Sequence, residues 1–299
     1  MTVSSAAPHR VGVVGCGTMG GGIAEACLRS ALDVRVLVSA PSRVDAARLC
    51  LTEALDRAVA KGRLAPADRD AALGRLAVTA DVGELADREL VVEAVVEDLD
   101  VKRRVFKALD GTVADPRAVL ASTTSSLLVA DLAAATSRPG CVIGTHFFNP
   151  VPVMALVEVV TAEATSERAA ATAEAFVTAA LGKQVVRARD RCGFVVNALL
   201  VPYLMAAARM YEDGVASVED IDRGMTLGCG HPMGPLALMD LIGVDTIATV
   251  AQSMADNGGP VAEVPAVLTR MAREDRLGRK TGHGFHRYDP PPREPRGAA

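Results

Sequence analysis

The chain has 299 residues, half of them apolar, which is enough for a sizeable core and predicts two domains rather than one or three. Only 3% of the residues are aromatic and Trp is absent, so the core must be built from Ala, Val and Leu. A net charge of -4, with no dense run of Lys and Arg, argues against nucleic-acid binding.

The sequence gives no sign of export or membrane insertion. Residues 1–9 lack the charged start and apolar run of a signal peptide and are predicted to be a disordered leader. No run of about 18 or more apolar residues appears, so we expect a cytoplasmic protein without a membrane partner. The six cysteines contain no CxxC pair, which favours small buried side chains over disulfides or a metal site.

A glycine-rich motif directly follows the first predicted strand. Residues 11–14 form that strand, 15–20 read Gly-Cys-Gly-Thr-Met-Gly, and an Ala-rich helix then leads to a second strand at 34–38. Strand, GxGxxG, helix and strand in this order predict a dinucleotide site, with the phosphates at the helix N-terminus. The residues expected to bind the cofactor here are Gly15, Gly17, Thr18, Met19 and Gly20.

The residue that ends the second strand normally selects between the two nicotinamide dinucleotides. An acid there binds the ribose 2'-hydroxyl and repels a 2'-phosphate, but this chain has Ser39, and no acid precedes Asp45. Ser39, Ser42 and Arg43 can donate hydrogen bonds to a phosphate. We therefore favour NADP(H) and keep NAD(H), with Arg43 stacked or solvated, as the alternative.

Strands and helices then alternate, which is typical of a parallel sheet buried on both faces. A helical hairpin is predicted over 43–73, with a break near Lys61-Gly62 and Pro66. The further predicted elements are strands at 76–79, 90–94 and 118–121 and a helix at 99–109. Glu97 and Lys102 lie near the start of that helix, where they either reach the cofactor or form a surface pair.

Residues 122–126, Ser-Thr-Thr-Ser-Ser, directly follow a predicted strand. Such a cluster either faces a ligand at the carboxyl edge of the sheet or forms a turn or helix cap. His146 is expected at the end of the next strand, where Pro150 and Pro152 force a turn. A carboxylate returned by the extended segment 153–160, at Glu158, would hold one ring nitrogen protonated and raise the basicity of the other.

Beyond residue 190 the strand signals stop. Before this boundary a helix at 166–181 ends at Gly182, and a last strand covers 183–186. The later helices are predicted at 194–211, 218–227, 235–254 and 265–274. Asn197 lies in the first turns of an otherwise apolar helix and requires a hydrogen-bond partner. The glycine-rich segment 278–285 is expected to fold back over this domain, and 289–299 has the composition of a disordered tail.

Over residues 10–288 the sequence resembles the L-3-hydroxyacyl-CoA dehydrogenase family. The motifs that carry the resemblance are the GxGxxG with its helix, Val-Glu-Ala-Val-Val-Glu at 92–97, the cluster at 122–126, His-Phe-Phe-Asn-Pro at 146–150, Gly-Phe-Val-Val-Asn at 193–197, His-Pro-Met-Gly-Pro at 231–235, and Lys-Thr-Gly-His-Gly-Phe at 280–285. The resemblance implies an α/β fold: a Rossmann-type, mainly parallel sheet domain at 10–189 and an all-helical substrate and dimerisation domain at 190–288. It also implies a homodimer.

The resemblance also implies roles for single residues. His146 and Glu158 match the family's catalytic pair, Ser125 its substrate-binding serine, and Asn197 its helix asparagine. Glu97 and Lys102 match positions near the nicotinamide ribose, and Lys61 matches a position that meets coenzyme A phosphates. The chain departs from the family at Thr123 (usually Asn), at Ser39 (usually an acid) and at His286 (usually an aromatic residue), so substrate and cofactor choice are open.

The hypothesis from sequence is reversible hydride transfer at C3 of a 3-hydroxyacyl or 3-oxoacyl thioester, with an acyl-CoA as partner. A first alternative is the same chemistry on an acyl group held by an acyl carrier protein, as in extender-unit assembly. Others are oxidation of a free hydroxy acid or sugar acid and a non-catalytic dinucleotide-binding protein. Retention of His146, Glu158, Ser125 and Asn197 together argues against the last.

Overall fold

A computed structural model describes residues 7–288 of the chain. Residues 1–6 of the predicted leader and the whole predicted tail, 289–299, lie outside the described residues. The chain forms two compact units, of which the first ends at Asp190 and the second begins at Arg191.

Residues 7–190 contain eight strands that form a single sheet. In chain order they are β1 Arg10–Val14, β2 Asp33–Leu37, β3 Leu76–Thr79, β4 Leu90–Glu93, β5 Val119–Ser122, β6 Val142–Phe147, β7 Leu156–Thr161 and β8 Gln184–Arg189. Their order across the sheet is β3-β2-β1-β4-β5-β6-β7-β8. Neighbouring strands are parallel except β6 and β7, which are antiparallel. The predicted mainly parallel α/β fold is therefore confirmed.

Six α-helices accompany the sheet within residues 7–190: α1 Thr18–Arg29, α2 Val44–Ala60, α3 Pro66–Gly74, α4 Leu99–Thr112, α5 Val129–Ala133 and α6 Glu167–Ala175. Helix α1 buries Ile23, Ala24 and Cys27 in the core, which is built largely from Val, Ala and Leu, as predicted. Helix α6 continues as a π-helical turn over Phe176–Ala180, so the predicted helix at 166–181 is present with a widened end.

The prediction that the cysteines are small buried side chains holds for only part of the set. Cys27, Cys141 and Cys192 are buried, but Cys50 and Cys229 are exposed. On α2 the buried residues are Ala47, Leu51, Leu55 and Ala58, and Cys50 lies outside the face that they form. The prediction is wrong for the two exposed cysteines, because apolar neighbours in sequence do not determine which face of a helix a residue lies on.

The second unit is helical through residue 273, with α7 Val196–Glu212, α8 Val218–Cys229, α9 Pro235–Ile242, α10 Val244–Asp256 and α11 Ala266–Arg273. The single helix predicted over 235–254 is wrong, because Gly243 has a φ of +111° and separates α9 from α10. The two helices are bent by 97°. No single helix within residues 7–288 is long and apolar enough to cross a membrane, and this bent pair meets that requirement only when its two helices are combined.

The glycine-rich segment folds back over the helical unit, as predicted. The backbone N–H groups of Phe285 and His286 each donate to the carboxylate of Asp240, both at 2.8 Å. Asp240 is 1% exposed and also accepts from the Tyr288 hydroxyl. A Cβ on Gly284 would collide with Asp240, so glycine is required where the segment meets α9. Burial and the charge of Asp240 raise the pKa of Tyr288 to about 12.

Candidate active site

The loop between β1 and α1 is shaped by contacts that exclude side chains. Gly15 has a φ of +96°, and a Cβ there would lie 2.6 Å from the carbonyl oxygen of Ala94. A Cβ on Gly20 would collide with the carbonyl oxygen of Gly15. A Cβ on Gly17, in contrast, would meet no non-neighbouring atom within 4 Å. The loop thus presents an open backbone surface at Gly17 between two fixed glycine positions.

The start of α1 fits a pyrophosphate. Gly17 is its N-cap, no side chain caps the helix, and its first turn contains no acidic residue. The first backbone N–H groups of a helix lack intrahelical acceptors and carry partial positive charge. Those of Thr18, Met19 and Gly20 therefore form an anion site of the kind that binds dinucleotide phosphates.

The predicted 2'-phosphate residues share one short exposed turn. Strand β2 ends at Leu37, whose carbonyl accepts the N–H of Gly15 at 2.8 Å, so the turn begins beside the glycine loop. Ser39, Ser42 and Arg43 are all exposed. The nearest acid along the chain, Asp45, lies in the first turn of α2.

His146 and Glu158 face each other across β6 and β7. The antiparallel register pairs the two residues directly, and Nδ1 of His146 lies 2.6 Å from Oε2 of Glu158. His146 is 6% exposed and Glu158 is fully buried. Because the carboxylate accepts from the Nδ1 proton, proton exchange with a ligand falls to Nε2. The structure thus brings together the pair predicted for acid–base chemistry.

The loop after β5 is organised around the carboxylate of Glu97. The hydroxyl of Thr124 donates to its Oε1 at 2.5 Å, and the N–H groups of Ser125 and Ser126 donate at 3.0 and 3.2 Å. The Ser126 hydroxyl adds a further bond at 3.1 Å. Ser125 is half-buried, and its backbone is fixed by this carboxylate.

Lys102 lies behind Glu97 and is only 1% exposed. Its ammonium donates to Oε1 of Glu93 at 2.8 Å and lies 3.2 Å from Oε2 of Glu97. The surface-pair alternative for Glu97 and Lys102 is therefore wrong. Ser122 is also not a loop residue: it ends β5, and its hydroxyl donates to Glu93 at 2.6 Å.

Lys61 lies two residues before Arg63, which lines a small cation-rich cavity. It caps the C-terminus of α2 and is exposed, and it contributes with Arg29 and Arg57 to the field at Glu25. Burial raises the pKa of Glu25 even though these cations oppose the change. The cavity has a volume of ≈ 220 Å³ and is lined by Ala26, Arg29, Ser30, Arg63, Leu64, Pro152, Leu181 and Lys183.

Asn197, the remaining predicted site residue, belongs to the second unit. It is the second residue of α7 and is half-buried. Thr123 belongs to the first unit, and its hydroxyl oxygen is buried without a hydrogen-bond partner among the described residues.

Sequence reasoning gave Glu93 no role and placed Ser122 in a loop cluster, not in a buried strand. Both are completely buried at the ends of neighbouring strands. The available signal was a charged residue at the end of the apolar run 90–92, since a buried charge must be paired.

A mainly parallel sheet with a glycine loop at its first crossover is typical of the dinucleotide-binding class of proteins. Residues 10–191 match the family profile described as "3-hydroxyacyl-CoA dehydrogenase, NAD binding domain", and 193–288 match "3-hydroxyacyl-CoA dehydrogenase, C-terminal domain". The chain belongs to the 3-hydroxyacyl-CoA dehydrogenase family, and it is an enzyme of that kind.

Individual relatives are similar along nearly the whole chain. A 3-hydroxybutyryl-CoA dehydrogenase of Mycobacterium tuberculosis is 51% identical, over 95% of this chain and 100% of its own length. The crystal structure of M. tuberculosis FadB2 superposes with a TM-score of 0.89 at 51% identity, covering 95% of this chain and 100% of its own. The (S)-3-hydroxybutyryl-CoA dehydrogenase PaaH1 of Ralstonia eutropha gives a TM-score of 0.86 at 40% identity, with the same two coverages.

Proposed function

We propose that the chain catalyses reversible hydride transfer between NADP(H) and C3 of a short-chain 3-hydroxyacyl-CoA or 3-oxoacyl-CoA. The observation that carries the proposal is the 2.6 Å contact between the buried His146 and Glu158, in the same unit as the glycine loop. The similarity to proteins named 3-hydroxybutyryl-CoA dehydrogenase supports the substrate class.

In the oxidation direction, Nε2 of His146 takes the proton of the 3-hydroxyl group as general base. Glu158 stabilises the resulting imidazolium through its bond to Nδ1, and in reduction the imidazolium returns the proton. Ser125 binds the substrate oxygen and holds it beside the imidazole, which gives the orientation that the reaction requires. Asn197 is assigned to substrate binding from the family motif that it matches. The bound dinucleotide supplies the hydride chemistry.

The division of roles between the two parts of the chain is also a proposal. Residues 10–189 bind the dinucleotide, and 190–288 contribute to the substrate site and to a homodimer. The exposed Leu199 (72%), Leu227 (79%) and Leu241 (49%) on three helices of the second unit support subunit contact there.

The preference for NADP(H) is supported by the turn at Ser39, Ser42 and Arg43. A 2'-phosphate would meet hydroxyl donors and a guanidinium there and no carboxylate before Asp45. NAD(H) is the alternative, and the matching family profile names NAD.

The first test is the initial rate of acetoacetyl-CoA reduction by the purified chain with NADPH and with NADH. We expect turnover with both and a higher kcat/KM with NADPH. A higher value with NADH would contradict the cofactor preference and leave the reaction standing. No rate with either cofactor, followed by turnover of acetoacetyl-carrier protein, would support the carrier-protein alternative.

We further propose that Lys61 and Arg63 attract the phosphates of coenzyme A. Both are exposed at the turn between α2 and α3, and Arg63 lines the cavity that Arg29 and Lys183 also line. Arg29 forms an ion pair with Glu25 at 3.4 Å, and Lys183 bonds to two backbone carbonyls. Lys61 and Arg63 are therefore the cations that a phosphate can engage without displacing these contacts.

Replacing both residues, K61A/R63A, should raise the KM for acetoacetyl-CoA about 5- to 10-fold at low salt, because exposed ion pairs each contribute ~0.2–1 kcal/mol. Its kcat should not change. The wild type should also show a higher KM for acetoacetyl-dephospho-CoA, and this difference should vanish in the double variant. R104A, which removes an exposed cation from α4, is the control. Equal KM values for the two thioesters in the wild type would contradict the assignment.

A further inference from the structure

Glu93 is the most completely enclosed charge of the loop region. It ends β4 and is 0% exposed. Its Oε1 accepts the N–H of Val95 at 2.7 Å and the ammonium of Lys102 at 2.8 Å, while its Oε2 accepts the hydroxyl of Ser122 at 2.6 Å. Both carboxylate oxygens are thus held by hydrogen bonds to Val95, Lys102 and Ser122.

Lys102 connects this carboxylate to the next one. Its ammonium lies between Glu93 and Glu97, and the Glu97 side chain, 33% exposed, lies on the outer side. Burial alone would raise the pKa of Glu97, but Lys102 and the hydrogen bonds from Thr124 and Ser125 hold it below its ordinary value. Glu97 is therefore ionised at neutral pH and acts as a fixed acceptor for the loop.

Stability alone does not account for the contacts between the charged groups of Glu93, Lys102 and Glu97. Removing charges from water costs several kcal/mol per ion, and replacing a buried ion pair by apolar residues is often neutral or stabilising. A chain of directional bonds does account for these contacts. The Ser122 hydroxyl donates to Glu93, and the Lys102 ammonium donates to Glu93 and pairs with one oxygen of Glu97. The other oxygen of Glu97 accepts donors from 124–126.

We propose that Glu93 is a positioning residue for the reaction, which acts through Lys102 and Glu97 to hold Ser125 at the place where the substrate oxygen binds. This inference rests on the proposed role of Ser125. Glu93 does not touch the substrate or the cofactor. Lys102, which the family resemblance places near the nicotinamide ribose, is 1% exposed, and in this proposal it acts through Glu97 and not on the cofactor.

The test begins with Glu93→Gln, which keeps the shape of the side chain and removes its charge. We expect kcat for acetoacetyl-CoA reduction to fall about 10- to 100-fold, because a small misplacement of a positioning group has effects of this size. The dissociation constant for NADPH should not change. Glu89→Gln is the control, because Glu89 precedes the same strand, its side chain is 39% exposed, and its bonds are to His9 and Arg10 and not to the loop at 122–126. Wild-type kcat in E93Q would overturn the proposal.

A double variant, E93Q/K102M, separates positioning from folding. It removes both buried charges, so its melting temperature should recover relative to E93Q, whereas its kcat should stay low. A kcat that recovers together with the melting temperature would show that Glu93 serves stability only. Weaker NADPH binding in the double variant would show direct cofactor contact by Lys102, and that result would also overturn the proposal.

Hydrogen exchange gives a readout that does not depend on the reaction. The amides of Ser125 and Ser126 should exchange more rapidly in E93Q than in the wild type, because their acceptor is less firmly held. If the amides exchange faster in E93Q but the wild type does not reduce acetoacetyl-CoA, the hydrogen-bond network from Glu93 to Ser125 is confirmed and the proposed substrate is wrong. If the amides of E93Q exchange as in the wild type, and the wild type reduces acetoacetyl-CoA, the positioning role of Glu93 is wrong and the proposed function is not affected.

Discussion

Replacing His146 with Gln is expected to lower kcat for acetoacetyl-CoA reduction about 10²- to 10⁴-fold, the range that general acid–base groups contribute. Glutamine can still donate to Glu158, which is fully buried and lies 2.6 Å from the ring nitrogen in the wild type. It cannot accept and return a proton at the position of Nε2. The variant should therefore fold and bind NADPH, and only proton transfer should be lost.

Three measurements check this expectation: steady-state kcat, the dissociation constant for NADPH by fluorescence titration, and the melting temperature. His9→Gln is the matched control, because His9 is exposed and has no place in the proposed site. Turnover at the wild-type rate in the His146 variant would show that another group moves the proton. Loss of NADPH binding along with turnover would instead indicate that the replacement disturbs the sheet.

The first crossover of the sheet could be predicted because its signals are local. The strand, the glycine motif and α1 are continuous in sequence, and Gly15 and Gly20 are required by contacts within that short stretch or with Ala94. The pairing of His146 with Glu158 was also predictable in outline, because the turn after β6 returns an extended segment. The antiparallel register that places the two residues opposite each other required the structure.

Other features depend on residues that are distant in sequence. Glu93 and Ser122 meet because β4 and β5 are neighbours, with these two residues in register, and Lys102 reaches Glu93 from α4. The break between α9 and α10 at Gly243 also depends on a distant residue. The apolar pattern continues through Gly243, but the N–H of Val244 donates to the carbonyl of Leu277. Hydrophobic pattern and propensity carry no information about such partners.

The conversion of Ser39 to Asp should reverse the cofactor preference. An Asp at the end of β2 would bond the ribose hydroxyls of NADH and repel a 2'-phosphate. Placing the Asp carboxylate beside the 2'-phosphate costs about 3 kcal/mol of binding free energy. The ratio of kcat/KM for NADPH to kcat/KM for NADH should therefore fall about 100-fold. The exposed turn around Ser39 tolerates the side chain, so the melting temperature should hardly change.

Ser39→Asn is the matched control, because Asn has the size of Asp without its charge. If repulsion of the 2'-phosphate is the cause, the Asn variant should keep most of the preference for NADPH, and the effect of Asp should weaken at high salt because screening reduces the interaction of exposed charges. Arg43→Gln should lower kcat/KM for NADPH alone, since Arg43 supplies the charge that attracts the phosphate. Equal losses in the Asp and Asn variants would mean that the shape of the turn, and not its charge, selects the cofactor.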